Sequence, residues 1–304
     1  MSAQAGSVAA TRGARAGSPA RQALADYVAL TKPKVQSLLL LTTVTTMFVA
    51  GSPSLSLVLL TCVGGYLSAG GAGAVNHWFD RDIDAQMART ANRPVPSGRV
   101  APHAALAFGV ALAALAFAEL TIFVNLTAAL LSFSGFLGYV LVYTVWLKRR
   151  TSQNIVIGGA AGAIPPLVGW AAVRGTVGGT AILLFAIVFF WTPPHFWALS
   201  LLMKEEYAKV GVPMLPVVRG ETETRRQILL YSVLLYAVTQ LPFCAGGFGT
   251  IYLVASLVLG GAFIGGAVQL QRRADRRSAL KLYLFSLAYL ALLFCAMVVD
   301  AKVM

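Results

Sequence analysis

Long stretches without a charged side chain restrict the folds open to this sequence. One helix needs about 20 apolar residues to cross the hydrocarbon core of a bilayer, and seven uncharged runs approach or exceed that length. Only 12% of the residues are charged and 58% are hydrophobic, whereas soluble domains are about 25% charged. These values exclude a soluble enzyme, a disordered protein and a fibrous protein. The seven runs are 35–79, 100–118, 120–147, 151–173, 175–203, 227–271 and 282–299.

Two of the runs are long enough for two helices each, which cross the membrane in opposite directions. Run 35–79 has turn residues at 51–53, and run 227–271 has them at 245–249. The other five runs fit one helix each. Only helices and closed barrels satisfy the backbone in lipid, and these runs are too unbroken for barrel strands. We therefore predict an all-α integral membrane protein with nine transmembrane helices.

The basic residues indicate how these helices are oriented. With nine crossings, all of the 24 Lys and Arg residues except Arg174 and Lys302 fall on the side of the N-terminus. Cytoplasmic loops collect Lys and Arg, so we predict a cytoplasmic N-terminus. The net charge of +13 follows from this asymmetry, and we expect no nucleic-acid partner.

The first 25 residues differ in composition from the rest of the chain. Residues 1–24 contain no acidic residue and no apolar stretch, which excludes a secretory signal. We predict a disordered cytoplasmic tail over 1–25 and one nine-helix domain over 26–304. A mitochondrial transit peptide is the alternative, because the tail is rich in Arg and Ser. The lack of a longer extension favours the bacterial inner membrane over the mitochondrial one.

A polar segment at the inner end of the second predicted helix is the first candidate site. Asn76, Asp80 and Asp84 follow one another at intervals of four residues, which keeps them on one edge of a helix. Asp82 points elsewhere. Three oxygen-bearing side chains on one edge suit Mg²⁺, which typically binds one or two carboxylates together with phosphate oxygens of a substrate. A solvated loop with Asp–Arg pairs is the alternative interpretation.

Basic residues follow this segment and recur after the fourth helix. The stretch 89–99 contains prolines and a glycine, which predict a shaped loop. Its arginines, among them Arg93, carry planar donor groups suited to phosphate. The cations at 148–150 are either an interfacial anchor or ligand-binding residues, and Asn154 follows them. The alternative for all of these cations is the usual enrichment on the cytoplasmic side.

The fourth predicted helix carries aromatic residues at intervals of three and four. This spacing places them on one stripe of an α-helix. Such a stripe serves helix packing or, if the substrate has a long apolar tail, forms a wall of its binding site. The residues are Phe133, Phe136, Tyr139, Tyr143 and Trp146.

A second polar segment emerges four crossings later, on the same side as the first. Pro193 and Pro194 are followed by His195 inside the sixth predicted helix, and polar groups in the membrane are functional by default. His195 could ligate a haem iron or hydrogen-bond a substrate carboxylate. Tandem prolines here and at 165–166 predict breaks in the sixth and fifth helices. The cytoplasmic Lys204-Glu205-Glu206 comes next.

Together these motifs resemble the UbiA-type intramembrane prenyltransferases, and specifically their haem-farnesylating branch. The resemblance covers residues 26–300. One departure is that Lys204-Glu205-Glu206 occupies the region where many members of the family have a second Asp-rich motif. The strings that carry the resemblance are Asn76-x3-Asp80-x3-Asp84, Leu30-Thr-Lys32-Pro33-Lys34-Val35, Tyr143-Thr-x-Trp146-Leu-Lys148-Arg149, Asn154-Ile-Val-Ile-Gly158-Gly159, Gly162-Ala-x-Pro165-Pro166-Leu-x-Gly169-Trp170, Pro193-Pro194-His195-Phe-Trp197, Glu206-Tyr207 and Gly211-x-Pro213-Met-Leu-Pro216.

The resemblance implies a fold, a reaction and a set of site residues. It implies a nine-helix bundle with a central cavity open near the cytoplasmic side, and transfer of a farnesyl group from farnesyl diphosphate to a vinyl group of haem b. It also implies that water adds in the same reaction, that Mg²⁺ is the cofactor, and that haem O and diphosphate are the products. Protein partners would be haem A synthase or cytochrome oxidase assembly proteins. The expected residues are Asn76, Asp80 and Asp84 for the metal and catalysis; Arg93, Lys148, Arg149 and Lys204 for the diphosphate; and His195, Trp197, Tyr143, Asn154 and Glu206 for the substrates.

Two other functions remain open on the sequence. One is a prenyltransferase of the same family with an aromatic acceptor such as 4-hydroxybenzoate. The other is a secondary transporter, because broken helices and acids in both halves of the chain also occur there. A transporter should hold its coupling site near the bilayer midplane, whereas Asp80 and Asp84 lie at a helix end.

Overall fold

The computed structural model describes residues 18–303. Residues 1–17 of the predicted tail, and Met304, lie outside the described residues. Residues 19–25, which the composition assigns to the tail, belong instead to helix α1 (Pro19–Leu30). Ser18 begins this helix, because its hydroxyl oxygen accepts a hydrogen bond from the Arg21 amide, and Pro19 favours the first helical turn.

Within residues 18–303, nine helical segments are long and apolar enough to cross a membrane, as the uncharged runs predict. Chain reversals at 51–54 and 245–249 divide the two longest runs where turn residues occur. The segments are α2 (Pro33–Ala50), α3 (Leu55–Phe79), α5 (Pro102–Phe123), α6 with a π-helix π1 (Leu126–Leu137, Gly138–Leu147), α7 with α8 (Asn154–Gly162, Ile164–Arg174), α9 (Gly179–Leu202), α12 (Gly220–Cys244), α13 (Thr250–Arg273) and α14 (Arg276–Val303).

Short helices lie in the connections on the side of the N-terminus. They are α4 (Arg81–Gln86), α10 (Lys204–Lys209) and α11 (Leu215–Val218). The largest apolar core is built by α9, α12, α13 and α14. A smaller core joins α2, α6 and α8. Two surface grooves border α13, and neither contains Asn76, Asp80 or Asp84, so the central cavity stays a prediction.

Small residues bring α3 and α5 close together. A Cβ added at Gly71 would lie 2.6 Å from the carbonyl oxygen of Gly109, and one added at Gly109 would lie 2.8 Å from that of Gly71. Real side chains cannot occupy such positions, so both residues must be glycine at this separation. Close backbone approach through small residues is a common way to pack helices in lipid. It fixes α3, whose inner end carries the first polar segment.

The two proline pairs behave differently. The predicted break in the fifth helix is found between Gly162 and Ile164, where α7 ends and α8 begins. The predicted break in the sixth helix is wrong, because α9 runs unbroken through Pro193 and Pro194. The two prolines leave the carbonyls of Phe189 and Phe190 without their usual amide donors, and α9 nevertheless continues to Leu202.

The last helix caps its neighbour through a buried carboxylate. Asp300 of α14 is buried and accepts hydrogen bonds from the backbone amides of Gly249 (2.5 Å) and Tyr252 (3.0 Å). These amides begin α13 and have no partner within the helix. The contact therefore ties the C-terminal helix to the start of α13.

We expect Asp300→Ala to lower the unfolding temperature of the purified protein. It removes both capping hydrogen bonds, and losing one such helix cap costs about 0.5–2 kcal/mol. Thermal unfolding in detergent measures the effect. Asp275→Ala is the control, because Asp275 caps α14 through the Ser278 amide but is exposed. If Asp275→Ala lowered the unfolding temperature as much as Asp300→Ala, the role of burial would be contradicted.

Candidate active site

The first polar segment continues the helical register across a junction between two helices. The Asp80 amide donates to the Asn76 carbonyl (2.9 Å), and the Asp84 amide donates to the Asp80 carbonyl (2.8 Å). Asn76 lies in the last turn of α3, Asp80 lies at the junction and Asp84 belongs to α4. The three residues are 3%, 0% and 3% exposed, so the predicted edge faces into the protein. The side chain of Asp82 is 57% exposed, as its position off the edge predicts.

Asn76 and Asp80 contact each other directly. The Asn76 amide nitrogen donates to Asp80 Oδ2 (2.7 Å) and to the hydroxyl of Thr144 in π1 (3.2 Å). Lys148 also donates to Asp80 Oδ2. One oxygen of this buried carboxylate therefore receives two donors, one from α3 and one from the end of the fourth crossing.

Two arginines complete the ion pairs of this edge. Arg149 donates to Asp80 Oδ1 (3.4 Å) and pairs with Asp82 (2.6 Å). Arg93 donates to Asp84 Oδ2 (2.6 Å). The hydrogen bond from Arg149 lowers the pKa of Asp82 to about 2. Both basic stretches that the sequence singles out thus converge on the acidic edge.

The loop that carries Arg93 has a fixed shape. The Thr90 hydroxyl donates to the Asp84 carbonyl (2.9 Å), which holds the start of the loop against α4. Arg99 donates to Asp26 of α1 (2.9 Å) and to the Asn92 carbonyl (2.9 Å). These contacts place the guanidinium of Arg93 beside Asp84.

Lys32 is a site residue that the charge pattern assigns only to membrane orientation. It links α1 to α2 with a left-handed backbone (φ 54°), a conformation that is strained for a residue with a side chain. Its ammonium donates to Asn76 Oδ1 (2.6 Å). Burial, together with the nearby Arg93 and Lys148, lowers the pKa of Lys32 to about 7. An anion entering beside it would favour its charged form.

A cluster of four cations therefore surrounds the acidic edge. We call it the basic cluster and define it as Lys32, Arg93, Lys148 and Arg149. Arg93, Lys148 and Arg149 place three positive charges against two buried carboxylates, Asp80 and Asp84, so the cluster has an excess of positive charge. Lys32 adds a fourth charge when an anion enters and raises its lowered pKa. Such an arrangement favours an anionic ligand, and planar guanidinium groups suit phosphate oxygens in particular.

The π-helix sets which residues of the fourth crossing reach this cluster. The Lys148 amide donates to the Tyr143 carbonyl (2.9 Å), five residues earlier. π-helices are rare in proteins as a whole, but those that occur are often found at functional sites. The ring centroid of Tyr139 lies 6.0 Å from the Lys32 ammonium. Trp146 is 55% exposed. The predicted single aromatic stripe is therefore wrong, because the wider turn rotates its last member toward the surface.

Part of the second polar segment shares an apolar cluster with the first. Val212 and Met214, after α10, join Ile83 of α4 and Ile155 of α7 in one buried apolar cluster, and Tyr143 and Tyr207 pack against it. The loop after α10 thus lies near α4, the helix that carries Asp84.

The structure does not bring Lys204 into the basic cluster. Its ammonium pairs with Glu221 of α12 (3.0 Å), and both side chains are partly exposed. Lys204 begins α10, and its side chain points to the start of α12. Glu206 is partly buried, and its Oε2 has no hydrogen-bond partner among the described residues. The predicted diphosphate-binding set is therefore corrected to exclude Lys204.

Asn154 and Trp197 occupy supporting positions. Asn154 is fully buried and donates to the backbone carbonyl of Lys148 (3.2 Å), so it fixes the chain that presents this lysine. Trp197 lies in the large apolar core, with its ring edge-on to Tyr231 at 5.1 Å. Tyr143 packs beside Tyr139, with ring centroids 5.4 Å apart.

His195 contacts Ser286 through one ring nitrogen. Its Nδ1 lies 2.6 Å from the Ser286 hydroxyl, which also lies 2.6 Å from the Tyr283 carbonyl. When the hydroxyl donates to Tyr283 it accepts from Nδ1, and Nε2 then carries a free lone pair. The ring stacks between Trp191 (4.3 Å) and Tyr283 (4.9 Å).

The donor set fits a magnesium ion shared with a phosphate ligand. Among residues 18–303, no group of three or more His, Cys, Asp and Glu side chains could hold a metal alone. Two buried carboxylates and one amide oxygen are what Mg²⁺ uses when substrate phosphates supply other ligands. The basic cluster provides the matching donors for those phosphates.

Comparison with known proteins agrees with this geometry. The model of the UbiA prenyltransferase family matches residues 39–293. The chain belongs to the UbiA prenyltransferase family. A protoheme IX farnesyltransferase of Symbiobacterium thermophilum is 54% identical over 92% of this chain and 95% of that protein. One of Roseiflexus sp. is 55% identical over 92% of this chain.

This member of the UbiA family differs in length from some relatives. It covers 53% of the Roseiflexus protein and 50% of a relative from Chloroflexus aurantiacus, so it spans about half the length of these curated relatives. Solved structures share its fold. A digeranylgeranylglyceryl phosphate synthase has a TM-score of 0.77 at 20% identity, over 93% of this chain and all of that chain. A UbiA homolog from Archaeoglobus fulgidus, bound to DMAPP and Mg²⁺, has a TM-score of 0.67 at 17% identity, over 90% and 99%.

Proposed function

We propose that this protein transfers the farnesyl group of farnesyl diphosphate to a vinyl group of haem b. Water adds in the same reaction, and haem O and diphosphate are released. The observation that carries the proposal is the convergence of the basic cluster on Asn76, Asp80 and Asp84 in a chain 54% identical to a protoheme IX farnesyltransferase of nearly the same extent. Membrane embedding suits two substrates with large apolar surfaces.

Asn76, Asp80 and Asp84 would hold Mg²⁺ together with the diphosphate. A bound Mg²⁺ neutralises negative charge that grows on the leaving diphosphate. The Asn76 oxygen now accepts from Lys32, so this lysine must turn toward the phosphates when the oxygen binds a metal. The metal-bound relative from Archaeoglobus fulgidus supports Mg²⁺ as the cofactor.

The basic cluster has two tasks in this reaction. Lys148, Arg149 and Arg93 bind diphosphate oxygens, and they stabilise the leaving group as the bond to farnesyl C1 breaks. Preorganised charges of this kind are usually the largest catalytic contribution. Burial of Asp80 and Asp84 excludes water from their side chains, which strengthens these interactions.

The carbon chemistry then requires protection of a cation. The farnesyl C1 cation is attacked by the terminal vinyl carbon of haem b, and positive charge moves to the carbon beside the porphyrin ring. Water adds at that carbon and loses a proton, which gives a hydroxyethylfarnesyl group. Water must not reach the farnesyl cation itself, because this would only hydrolyse the substrate. The faces of Tyr139 and Tyr143, next to Lys32 and Lys148, suit a cation of this kind.

His195 is the proposed haem contact. Its Nε2 lone pair can ligate iron or accept a hydrogen bond when Nδ1 donates to Ser286. Glu206, whose Oε2 lacks a partner among the described residues, would contact a substrate from the segment over the site. Tyr143 would line the farnesyl path, while Asn154 and Trp197 would act through packing.

We expect His195→Phe to weaken haem binding by about tenfold to a hundredfold, the effect of losing one hydrogen bond or ligand at a buried site. Phenylalanine keeps the stacking between Trp191 and Tyr283. Haem titration followed in the visible spectrum measures the affinity, and farnesyl diphosphate binding is the internal control. An equal loss of both affinities would count against a haem contact.

The proposed location is the bacterial inner membrane with a cytoplasmic N-terminus. The basic cluster and α10 lie on the side where Lys and Arg accumulate, so the diphosphate would enter from the cytoplasm. Haem A synthase and cytochrome oxidase assembly proteins are the proposed partners, because they would receive the product.

The proposed function is tested by incubating the purified protein with haem b, farnesyl diphosphate and Mg²⁺. Mass analysis of the porphyrin should show addition of one farnesyl group and one water. Prenylation of 4-hydroxybenzoate in place of haem would indicate the aromatic-acceptor activity. Failure to release diphosphate with either acceptor would exclude both transferase functions and leave transport.

A further inference from the structure

His77 is a buried polar residue to which the proposed mechanism gives no task. It is 2% exposed, and both of its ring nitrogens are enclosed without a hydrogen-bond partner among residues 18–303. In either tautomer a neutral imidazole offers one donor and one acceptor. Leaving such groups unpaired in the interior costs free energy. A ligand that forms hydrogen bonds with them would remove this cost and would bind more tightly as a result.

The face of α3 that carries His77 points to the link between α1 and α2. Gly73, one turn earlier on the same face, lies against this link: a Cβ there would be 3.0 Å from the Leu30 carbonyl oxygen and 3.6 Å from the Lys32 side chain. Lys32 reaches past this face to Asn76, the neighbour of His77. The face of α3 that carries His77 therefore packs against the segment that carries Lys32.

The cations around the acidic edge identify the ligand chemistry. Lys32 contacts Asn76, the residue before His77, while Arg93 and Lys148 contact Asp84 and Asp80 on the same edge. These cations occupy the oxygens of all three residues. No protein oxygen among the described residues accepts from the imidazole. An acceptor that enters among three cations is an anion with several oxygens.

We propose that His77 donates a ring N–H hydrogen bond to an oxygen of the substrate's diphosphate group. This inference rests on the proposed function, and it adds an imidazole donor to the lysine and arginine donors of the basic cluster. Since His77 adjoins Asn76 on α3, the bond would position the diphosphate along the acidic edge. An ordered water at the imidazole is the competing occupant.

Two variants separate this role from a structural one. His77→Phe removes both unpaired nitrogens and keeps an aromatic ring of similar size, so the ligand-free protein should unfold at an equal or higher temperature. His77→Gln keeps an N–H donor of similar reach. A structural histidine would give the opposite order, with lower stability in His77→Phe.

Isothermal titration of the full chain in detergent with magnesium pyrophosphate tests the proposal. We expect His77→Phe to bind about ten to a hundred times more weakly than the wild type, with His77→Gln restoring most of the affinity. Haem affinity should not change. His103→Phe is the matched control, because His103 is exposed at the start of α5, and it should bind like the wild type.

The other outcomes overturn the proposal in distinguishable ways. Wild-type affinity in His77→Phe would show that only water occupies the imidazole, and the proposed function would stand. Parallel loss of stability, haem affinity and pyrophosphate affinity in His77→Phe, without rescue by His77→Gln, would show a structural role. A wild-type protein that does not bind magnesium pyrophosphate would overturn both this inference and the diphosphate site.

Discussion

Asp80→Asn is expected to reduce farnesyl transfer by about a thousandfold, the upper range for removing one preorganised charge from an active site. Asp80 is 0% exposed and is the carboxylate that Asn76, Lys148 and Arg149 all contact. Asparagine has nearly the same shape but no charge, so it would neither hold Mg²⁺ firmly nor keep the two cations in place. Initial rates of haem O formation at saturating Mg²⁺ measure the effect. We expect the same result for Asp84→Asn.

Asp82→Asn provides the matched control for this prediction. Asp82 is two residues from Asp80, pairs with the same Arg149, and is exposed. It should retain activity within a few fold of the wild type, because exposed ion pairs contribute little. Asp80→Asn must still insert and bind haem. Near-normal turnover in Asp80→Asn would remove the metal edge from the mechanism.

Lys148→Met should lower the rate by about a hundredfold, because it deletes one of the cations facing the leaving diphosphate. Methionine keeps most of the apolar stem, so packing around Asn154 and π1 is largely retained. Lys148 also neutralises Asp80, and its loss leaves a buried carboxylate less well paired. The effect should therefore appear both in the rate and in the affinity for magnesium pyrophosphate.

Lys204→Met is the companion measurement, since the sequence assigns both lysines the same role. The structure pairs Lys204 with Glu221 on a partly exposed surface, so its removal should change turnover less than threefold, within the small contribution of such pairs. Equal losses in Lys148→Met and Lys204→Met would contradict the corrected diphosphate site. They would require a movement of α10 toward the basic cluster.

The number of crossings could be predicted from the sequence because lipid imposes a strong and local rule. A charge in the hydrocarbon core is unfavourable, so gaps between charges mark helices without knowledge of packing. The register of Asn76, Asp80 and Asp84 was equally local, since it needs only 3.6 residues per turn. The structure keeps that register through the junction at Asp80.

Features that depend on contacts between distant segments could not be predicted. Lys32 precedes a helix and resembles any interfacial lysine, and the packing of the link between α1 and α2 against Gly73 brings it to Asn76. The spacing rule for an α-helix also fails in π1, where wider turns expose Trp146. Glu221 lies seventeen positions beyond Lys204. It forms an ion pair with this lysine because the starts of α10 and α12 lie close together.

The central claim is that Asp80 and Asp84 hold a metal together with a prenyl diphosphate. Crystals grown with Mn²⁺ and a thio analogue of farnesyl diphosphate that cannot ionise test it most directly, because Mn²⁺ takes the same oxygen ligands as Mg²⁺ and gives an anomalous signal. We predict an anomalous peak at ligand distance from both carboxylates, with diphosphate density against Lys148 and Arg93. A peak remote from Asp80 and Asp84, with the diphosphate bound elsewhere, would contradict the account.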